Sequence, residues 1–459
     1  MIEIRINGDK FESDVRAMVQ AFYPNEKLYV VKERTELEVQ KRPDGPLIRT
    51  LSFNTDSYDD KNVLKKDIYG KLSADMGKSL SWGILTGVRP TKIPMSFLDA
   101  GRVKEDIIDA LKRIYLLNDD KANLITDVAA RERTLIGTIT DDTYSLYVNI
   151  PFCPTRCLYC SFDSYPIGAY EDAIPSYVDA LKKELKAIEE INHDKKLLTI
   201  YFGGGTPTSL SAKHLREIMS FINETFDLRY LREWTVEAGR PDSIDIEKLK
   251  AIKECGGTRV SINPQTMNDK TLKVIGRAHT ADDVRNAFHL AKESGIDVIN
   301  MDMILGLPGE STEDVRFTLD RIVEFKPENL TVHSLAMKSK APLVLEKDKY
   351  VDFSMENPDE NMMLAREYAG RLELLPYYLY RQRNMVGNGE NIGFAKEGTE
   401  GLYNILIMEE LHSIYSAGAG AITKIVKTKG TLNKRIENVK DVKEYISRID
   451  EMIKRKVDI

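Results

Sequence analysis

Three of the chain's four cysteines, Cys153, Cys157 and Cys160, fall within eight residues of one another. Thiolates at spacings of four and then three residues can converge from a single loop on one inorganic centre. Disulfides are the weaker account, because no export signal accompanies the cluster and its crowding suits metal or cluster ligation. Structural zinc asks for four ligands, yet no fourth Cys or His lies close in sequence, the next histidine being His193. Three thiolates suit a four-iron cluster that leaves one iron open, with zinc as the alternative. Cys255, between a helical stretch and Gly256-Gly257, reads as a small buried residue at a helix end.

Other chemistry-bearing residues follow at intervals. Thr199-Ile200-Tyr201-Phe202-Gly203-Gly204-Gly205-Thr206-Pro207 places three glycines at a strand end, where missing side chains would let a ligand approach the backbone. Glu237, Gln265, Arg277 and Asp302 each sit at or just beyond the end of a strand-like run. Polar groups there would face the top of a barrel, although each taken singly is equally a cap or an ion-pair member.

The elements that must carry these residues are legible in the pattern. Strands are expected over 145–150, 198–202, 234–238, 258–262, 298–305 and 330–335, with helices near 171–190, 211–225, 245–254, 281–294 and 311–324. Six strands alternating with helices predict an α/β fold, a parallel barrel or partial barrel. A doubly wound sheet is the alternative, but no Gly-x-Gly-x-x-Gly follows the first strand. Residues 1–140 read as an accessory domain, opened by the alternation of Ile2, Ile4 and Ile6, with helices over 104–136. Its segment Trp82–Lys92, rich in Gly and Pro, reads as a loop, either packed on a neighbouring domain or touching substrate. The barrel spans 141–337, and 338–459 forms a mostly helical C-terminal domain. Between 424 and 456, Lys plus Arg outnumber acids 11 to 5. One amphipathic helix is expected there, with Val442, Tyr445, Ile446, Ile449 and Ile453 as its apolar stripe and a solvated basic face.

Composition narrows the function classes. The chain has 459 residues, 42% hydrophobic and 30% charged, with a formal charge of -6. That is an ordinary globular composition, and the net acidity gives no global attraction to nucleic acid or anionic lipid. No apolar run approaches the roughly 20 residues of a membrane span, and the opening residues lack a signal-peptide core. A cytoplasmic location is expected.

The Cys-x3-Cys-x2-Cys loop after a first barrel strand resembles the radical S-adenosylmethionine (SAM) superfamily, whose fold is a partial (β/α)6 barrel related to the TIM barrel. There the open iron of a 4Fe-4S cluster binds SAM and an electron from the cluster cleaves it to a 5'-deoxyadenosyl radical. Together with the glycine motif and the later polar residues, residues 144 to about 425 resemble the oxygen-independent coproporphyrinogen III dehydrogenase branch. Further markers are Leu335-Ala336, Arg383-Asn384-Met385 and Gly418-Ala419-Gly420-Ala421-Ile422. With Thr86-Gly87-Val88-Arg89-Pro90, the leading domain is similar to that of a Gram-positive subfamily of these enzymes.

The resemblance implies Cys153, Cys157 and Cys160 as cluster ligands. It implies contacts to one or two SAM molecules from Tyr147, Tyr159, Gly203, Gly204, Gly205, Thr206, Glu237, Gln265, Arg277, Asp302, Ala336 and Ile422, with Tyr147 and Glu237 as the catalytic pair. It further implies a coproporphyrinogen III substrate, reduced flavodoxin or ferredoxin as electron donor, and a monomer. The four propionates of such a substrate call for cations, and Arg89, Arg381 and Arg383 in turn-rich segments are the candidates.

Two positions depart from that branch. Its histidine two residues after the tyrosine is Asn149 here, and its fourth cysteine is Phe162. Asn149 cannot relay a proton as an imidazole would. Phe162 is shared with a sister group of haem chaperones, which keeps haem delivery open. The chaperones' His-Asn-x-x-Tyr-Trp, however, is replaced by Tyr380-Arg381-Gln382-Arg383-Asn384-Met385. His279, His289, His333 and His412 would be the haem-ligand candidates on that alternative.

Overall fold

A computed structural model describes residues 1–24, 26–32, 46–137, 139–338, 340–345, 357–382 and 385–458. The chain divides into two compact units, Met1–Ala130 with Leu379–Glu390, and Arg131–Tyr378 with Asn391–Ile459.

In the first unit, β1 (Ile2–Asn7) lies between β2 (Leu28–Lys32) and β3 (Arg49–Asn54), all parallel. The alternating Ile2, Ile4 and Ile6 are buried against Val15, Met18 and Phe22 of α1 (Glu12–Phe22) and Leu64, Ile68 and Leu72 of α2 (Lys61–Met76). After α3 (Lys92–Asp99), the expected helices over 104–136 are α4 (Lys104–Tyr115) and α5 (Asp119–Ile136). Trp82 is fully buried, and its Nε1 donates to Glu390 at 3.0 Å. The Arg381 guanidinium lies 4.6 Å from that ring and donates to the carbonyls of Leu85, Asn388 and Gly389. Arg381 is therefore a buried structural cation and not the carboxylate-binding residue expected from its turn-rich surroundings. Arg383 and Asn384 lie outside the described residues, and Arg89 is half-buried.

The second unit is built on β4 (Thr143–Ile150), which runs into the short pair β5 (Phe152–Cys153) and β6 (Tyr165–Pro166). Next come β7 (Lys196–Gly204), β8 (Glu233–Glu237), β9 (Arg259–Ser261), β10 (Val298–Leu305) and β11 (Asn329–Ser334). The crossovers carry α6 (Ile174–Asn192), α7 (Ala212–Thr225), α8 (Ile246–Glu254), α9 (Asp269–Val274), α10 (Ala281–Glu293) and α11 (Thr312–Phe325). Their starts are locally encoded. Ser211, Asp245 and Asn268 cap α7, α8 and α9, and Thr280/Asp283 and Ser311/Asp314 form capping boxes on α10 and α11.

The six strands β4, β7, β8, β9, β10 and β11 are parallel and ordered as in the chain. The order never reverses, which excludes the doubly wound alternative. The sheet does not join its first strand to its sixth. It continues from β11 to antiparallel β13 (Asn391–Ala395) and β12 (Leu375–Tyr380), and from β4 to parallel β14 (Ser413–Ala417). β4 is buried along nearly its whole length, as a strand covered on both faces must be. No helix among the described residues is long and apolar enough to cross a membrane.

The C-terminal stretch departs from the expected helical character. Besides α12 (Pro342–Leu345), α13 (Pro358–Arg371) and α14 (Leu402–Glu409), its described residues form five strands. The segment expected as one helix is the antiparallel hairpin β15 (Ile422–Thr428) and β16 (Thr431–Glu437), followed by α15 (Val442–Ser447) and α16 (Ile449–Val457). The reason is local: Ile422-Thr423-Lys424-Ile425-Val426 is β-branched at four of its five positions, and Gly430, at φ +78°, turns the chain. Helix starts only where Asp441 accepts from the Lys443 and Glu444 amides. The apolar stripe is right, with Val442, Tyr445 and Ile449 buried, but Lys456 of the supposed solvated face is also buried, bonded to Glu184 at 2.7 Å.

Candidate functional site

Side chains two residues apart on a strand share a face. On one face of the central sheet this rule assembles a continuous polar ladder. Tyr147 and Tyr201 are register partners on β4 and β7, with stacked rings 6.1 Å apart. Tyr403 of α14 stacks on Tyr201 at 4.4 Å. The Tyr201 hydroxyl donates to Glu237 Oε1, and Asn263 Nδ2 donates to Oε2 at 3.4 Å. Ser261 donates to Asn263, and Asn300 Nδ2 donates both to Ser261 Oγ and to Asp302 Oδ1 at 2.7 Å. His333 Nε2 lies 3.6 Å from Asp302 Oδ2, while its Nδ1 contacts Asn391 Oδ1 at 3.2 Å. The alternate positions Leu146, Ile200, Val236, Val260, Met301 and Val332 are apolar and buried.

This ladder has its own electrostatics. Burial and the neighbouring charge of Asp302 push the Glu237 carboxyl up to about 7, against the pull of the bonds from Tyr201 and Asn263. Burial lowers the His333 imidazole, but its bond to Asp302 and that carboxylate's charge outweigh this and leave it raised. Burial and the Glu237 charge push the Tyr147 phenol above its ordinary range.

The cysteine loop is built differently. Cys153, Cys157 and Cys160 are all free thiols, with Cys157 the most buried. Cys153 Sγ lies 3.4 Å from Thr206 Oγ1. Two buried guanidinium groups brace the loop. Arg277 donates to the carbonyls of Gly239 and Asn263 and to the Tyr159 hydroxyl at 2.9 Å. Arg240 donates to the Thr155 carbonyl and hydroxyl and, at 3.6 Å, to Cys157 Sγ.

Two glycines of the motif are required by packing within the chain itself. A Cβ at Gly204, which holds φ +106°, would lie 2.2 Å from Asn149 Oδ1, and one at Gly205 would lie 2.5 Å from the Phe152 carbonyl and 3.0 Å from Cys153 Sγ. Asn149, the departure from the family's histidine, accepts from the Tyr147 hydroxyl and donates to the Ala419 carbonyl. Gln265 occupies the left-handed region at φ 66°, costly for a residue with a side chain, and its amide donates to the Asp302 carbonyl. Its buried Oε1 has no hydrogen-bond partner among the described residues. Ala336 is half-buried two residues past β11, and Ile422 is 40% exposed at the start of β15.

Comparison with known proteins decides the family. A model of the radical SAM superfamily matches residues 147–322. The chain is 39% identical over 402 residues to the oxygen-independent coproporphyrinogen-III oxidase-like protein HemZ of Bacillus subtilis, covering 86% of this chain and 80% of that protein. The chain belongs to the radical SAM superfamily, in the coproporphyrinogen-III oxidase-like family. It is also 32% identical to the heme chaperone HemW of Bacillus subtilis over 310 residues, 67% of this chain and 76% of that protein. Coproporphyrinogen III oxidase (HemN) from Escherichia coli shares the fold, with TM-score 0.54 and 22% identity over 71% of this chain and 73% of that one.

Membership of the radical SAM superfamily implies a 4Fe-4S cluster and SAM. Among the described residues, no three His, Cys, Asp or Glu side chains converge within reach of a single ion. A four-iron cluster is a larger body whose thiolates each take a different iron, so it does not need that convergence. The donor chemistry fits it: free thiols on one loop, a cation at Cys157, and a glycine at residue 205 packed directly against Cys153.

Within this radical SAM protein, sequence reasoning passed over Tyr201, Tyr403, Asn263, Asn300 and Asn391 of the ladder, and singled out His333 only as a haem-ligand candidate. All but Tyr403 and Asn391 carry a readable signal, since they stand two residues from, or in register with, a residue already singled out. The histidines proposed for haem are engaged or hidden. His412 spends both nitrogens on Thr143 and Ser145, His333 lies between Asp302 and Asn391, and His279 is buried, whereas His289 is exposed.

Proposed function

We propose that this chain catalyses the oxidative decarboxylation of coproporphyrinogen III to protoporphyrinogen IX. Reduced flavodoxin or ferredoxin would supply electrons to a cluster on Cys153, Cys157 and Cys160. The observation that carries the reading is the polar ladder of Glu237, Asp302 and His333, which ends at the same side of the sheet as the cysteine loop. When bound, the cluster and SAM supply a hydrogen-abstracting radical by one-electron reduction. The chain's own part is to bind, orient and hold protons.

On this reading Gly204, Gly205 and Thr206 shape the floor beside Cys153, and Tyr159, braced by Arg277, and Gln265, whose Oε1 offers an unused acceptor, orient SAM. Tyr147, Arg277, Asp302, Ala336 and Ile422 complete its surroundings. Glu237, poised near neutrality, can hold or release a proton at Oε1 with Tyr201 as its partner. The tyrosine stack of Tyr147, Tyr201 and Tyr403 keeps water from the barrel side of the site. Against haem delivery stand the engaged nitrogens of His412 and His333 and the burial of His279.

The test is anaerobic reconstitution followed by mass spectrometry of the tetrapyrrole with SAM, reductant and coproporphyrinogen III. Stepwise loss of two carboxyl groups, abolished together with bound iron by Cys157→Ala, is expected. Formation of 5'-deoxyadenosine over an unchanged porphyrinogen, or stoichiometric haem binding, would overturn the reading.

A further inference from the structure

Arg240 stands in the turn after β8 and is 3% exposed. Burial of a guanidinium is costly unless its donors are satisfied. Nε and Nη2 grip the Asp242 carboxylate as a fork at 2.9 and 2.7 Å, Nη1 reaches the Thr155 carbonyl at 3.0 Å, and Nη2 reaches the Thr155 hydroxyl at 3.0 Å. The remaining direction of Nη1 is aimed at Cys157 Sγ, 3.6 Å away. Asp242 thus orients the fork, Thr155 anchors the loop to it, and a sulfur receives a charged N–H.

We propose that Arg240 is a positioning residue that raises the reduction potential of the iron–sulfur cluster through its charged N–H bond to the Cys157 sulfur. The proposal rests on the reading that Cys157 is a cluster ligand. Its physical basis is simple. One-electron reduction adds negative charge that spreads onto the ligand sulfurs, so a buried cation donating to one of them stabilises the reduced form more than the oxidised. Water screens this little, because Arg240 is buried and Cys157 is 8% exposed. The second buried guanidinium, Arg277, donates to two carbonyls and the Tyr159 hydroxyl, so of these two it is Arg240 that touches a sulfur.

The experiment is a redox titration of the reconstituted full chain, monitored by the electron paramagnetic resonance signal of the reduced cluster, with iron and sulfide counted beforehand. In Arg240→Gln the ratio of reduced to oxidised cluster at a fixed potential should fall at least tenfold, which is 59 mV for a one-electron couple. Thr155→Val removes a loop anchor while leaving the sulfur bond, and should keep the wild-type potential. An Arg240→Gln protein holding four irons at the wild-type potential would sink the proposal, as would an equal shift in Thr155→Val. If Arg240→Gln binds no iron, Arg240→Lys decides: it loses the fork, so a fall of at least threefold supports the role and an unchanged ratio overturns it. A wild-type chain that assembles no cluster would instead remove the underlying assignment of Cys157.

Discussion

The cysteine loop and the polar ladder lie on one unit yet solve opposite electrostatic problems. Around the sulfurs the buried charges are cations, Arg240 and Arg277, whose N–H groups end on the partly exposed Asp242 carboxylate, on carbonyls, on two hydroxyls and on a thiol. Across the strand face the charges are half-buried acids, Glu237 and Asp302, tempered by one imidazole and a set of amides. Groups that must bear negative charge are met by fixed donors. On the acidic face, burial and the like charge of Asp302 bring Glu237 up to about 7. The difference teaches that one sheet can carry a cation-lined loop and an acid-lined face a few strands apart, because the first draws its partners from loops and the second mostly from the strands themselves.

Breaking the cationic side should have the largest effect on the fold. Arg277→Met removes three hydrogen bonds and leaves the Tyr159 hydroxyl and two loop carbonyls without their donor. A loss of about 3–5 kcal/mol is expected in chemical denaturation of the apo chain, as for one partner removed from a buried charged network.

On the acidic side the sign is the opposite. The Glu237 carboxyl rises from 4.5 in the unfolded chain to about 7 in the fold, so the native state binds the extra proton between those values. Wild-type stability from this group therefore falls as pH rises from about 4.5 to 7. Glu237→Gln lacks that slope, so across the window it should gain on the wild type, by about 3 kcal/mol. A constant difference across pH would refute the placement of that proton.

The smallest effect sharpens the contrast within the ladder itself. His333 titrates above its usual 6.5, so its contribution is complete below pH 6.5 and lost as pH rises through the folded-state value. His333→Phe should cost more at pH 5.5 than at pH 9, with a difference of about 1 kcal/mol or less. Thermal denaturation at the two pH values measures it.

A buried network on the same unit explains why the C-terminal segment resisted reading. Glu184, on α6, accepts from Lys456 and Asn438 through Oε1, and from the Gly418 amide and the Tyr445 hydroxyl through Oε2. The Gly418–Ala419 turn in its grip receives the amide of Asn149. A lysine three residues from the chain's end is thereby linked to the strand that leads into the cysteine loop. In sequence, Lys456 is one cation among many on a basic segment, and only its distant acid distinguishes it.

Much of the site was legible because its signals are short in range. The Cys-x3-Cys-x2-Cys spacing, the six apolar strand runs, the capping residues before the crossover helices and the three glycines each depend on neighbours within a few residues. Backbone stereochemistry and the two-residue period of a strand convert such spacings directly into geometry. The pairing of β14 beside β4, the burial of Arg381 on Trp82, the hairpin of β15 and β16, and the guanidinium at Cys157 join residues separated by 83 to 299 positions in all but the hairpin. In the hairpin, the basic composition masked a β-branched pattern. The long-range partners were decided only by tertiary structure, since which buried charge meets which sulfur, ring or carbonyl depends on how the whole sheet closes around them.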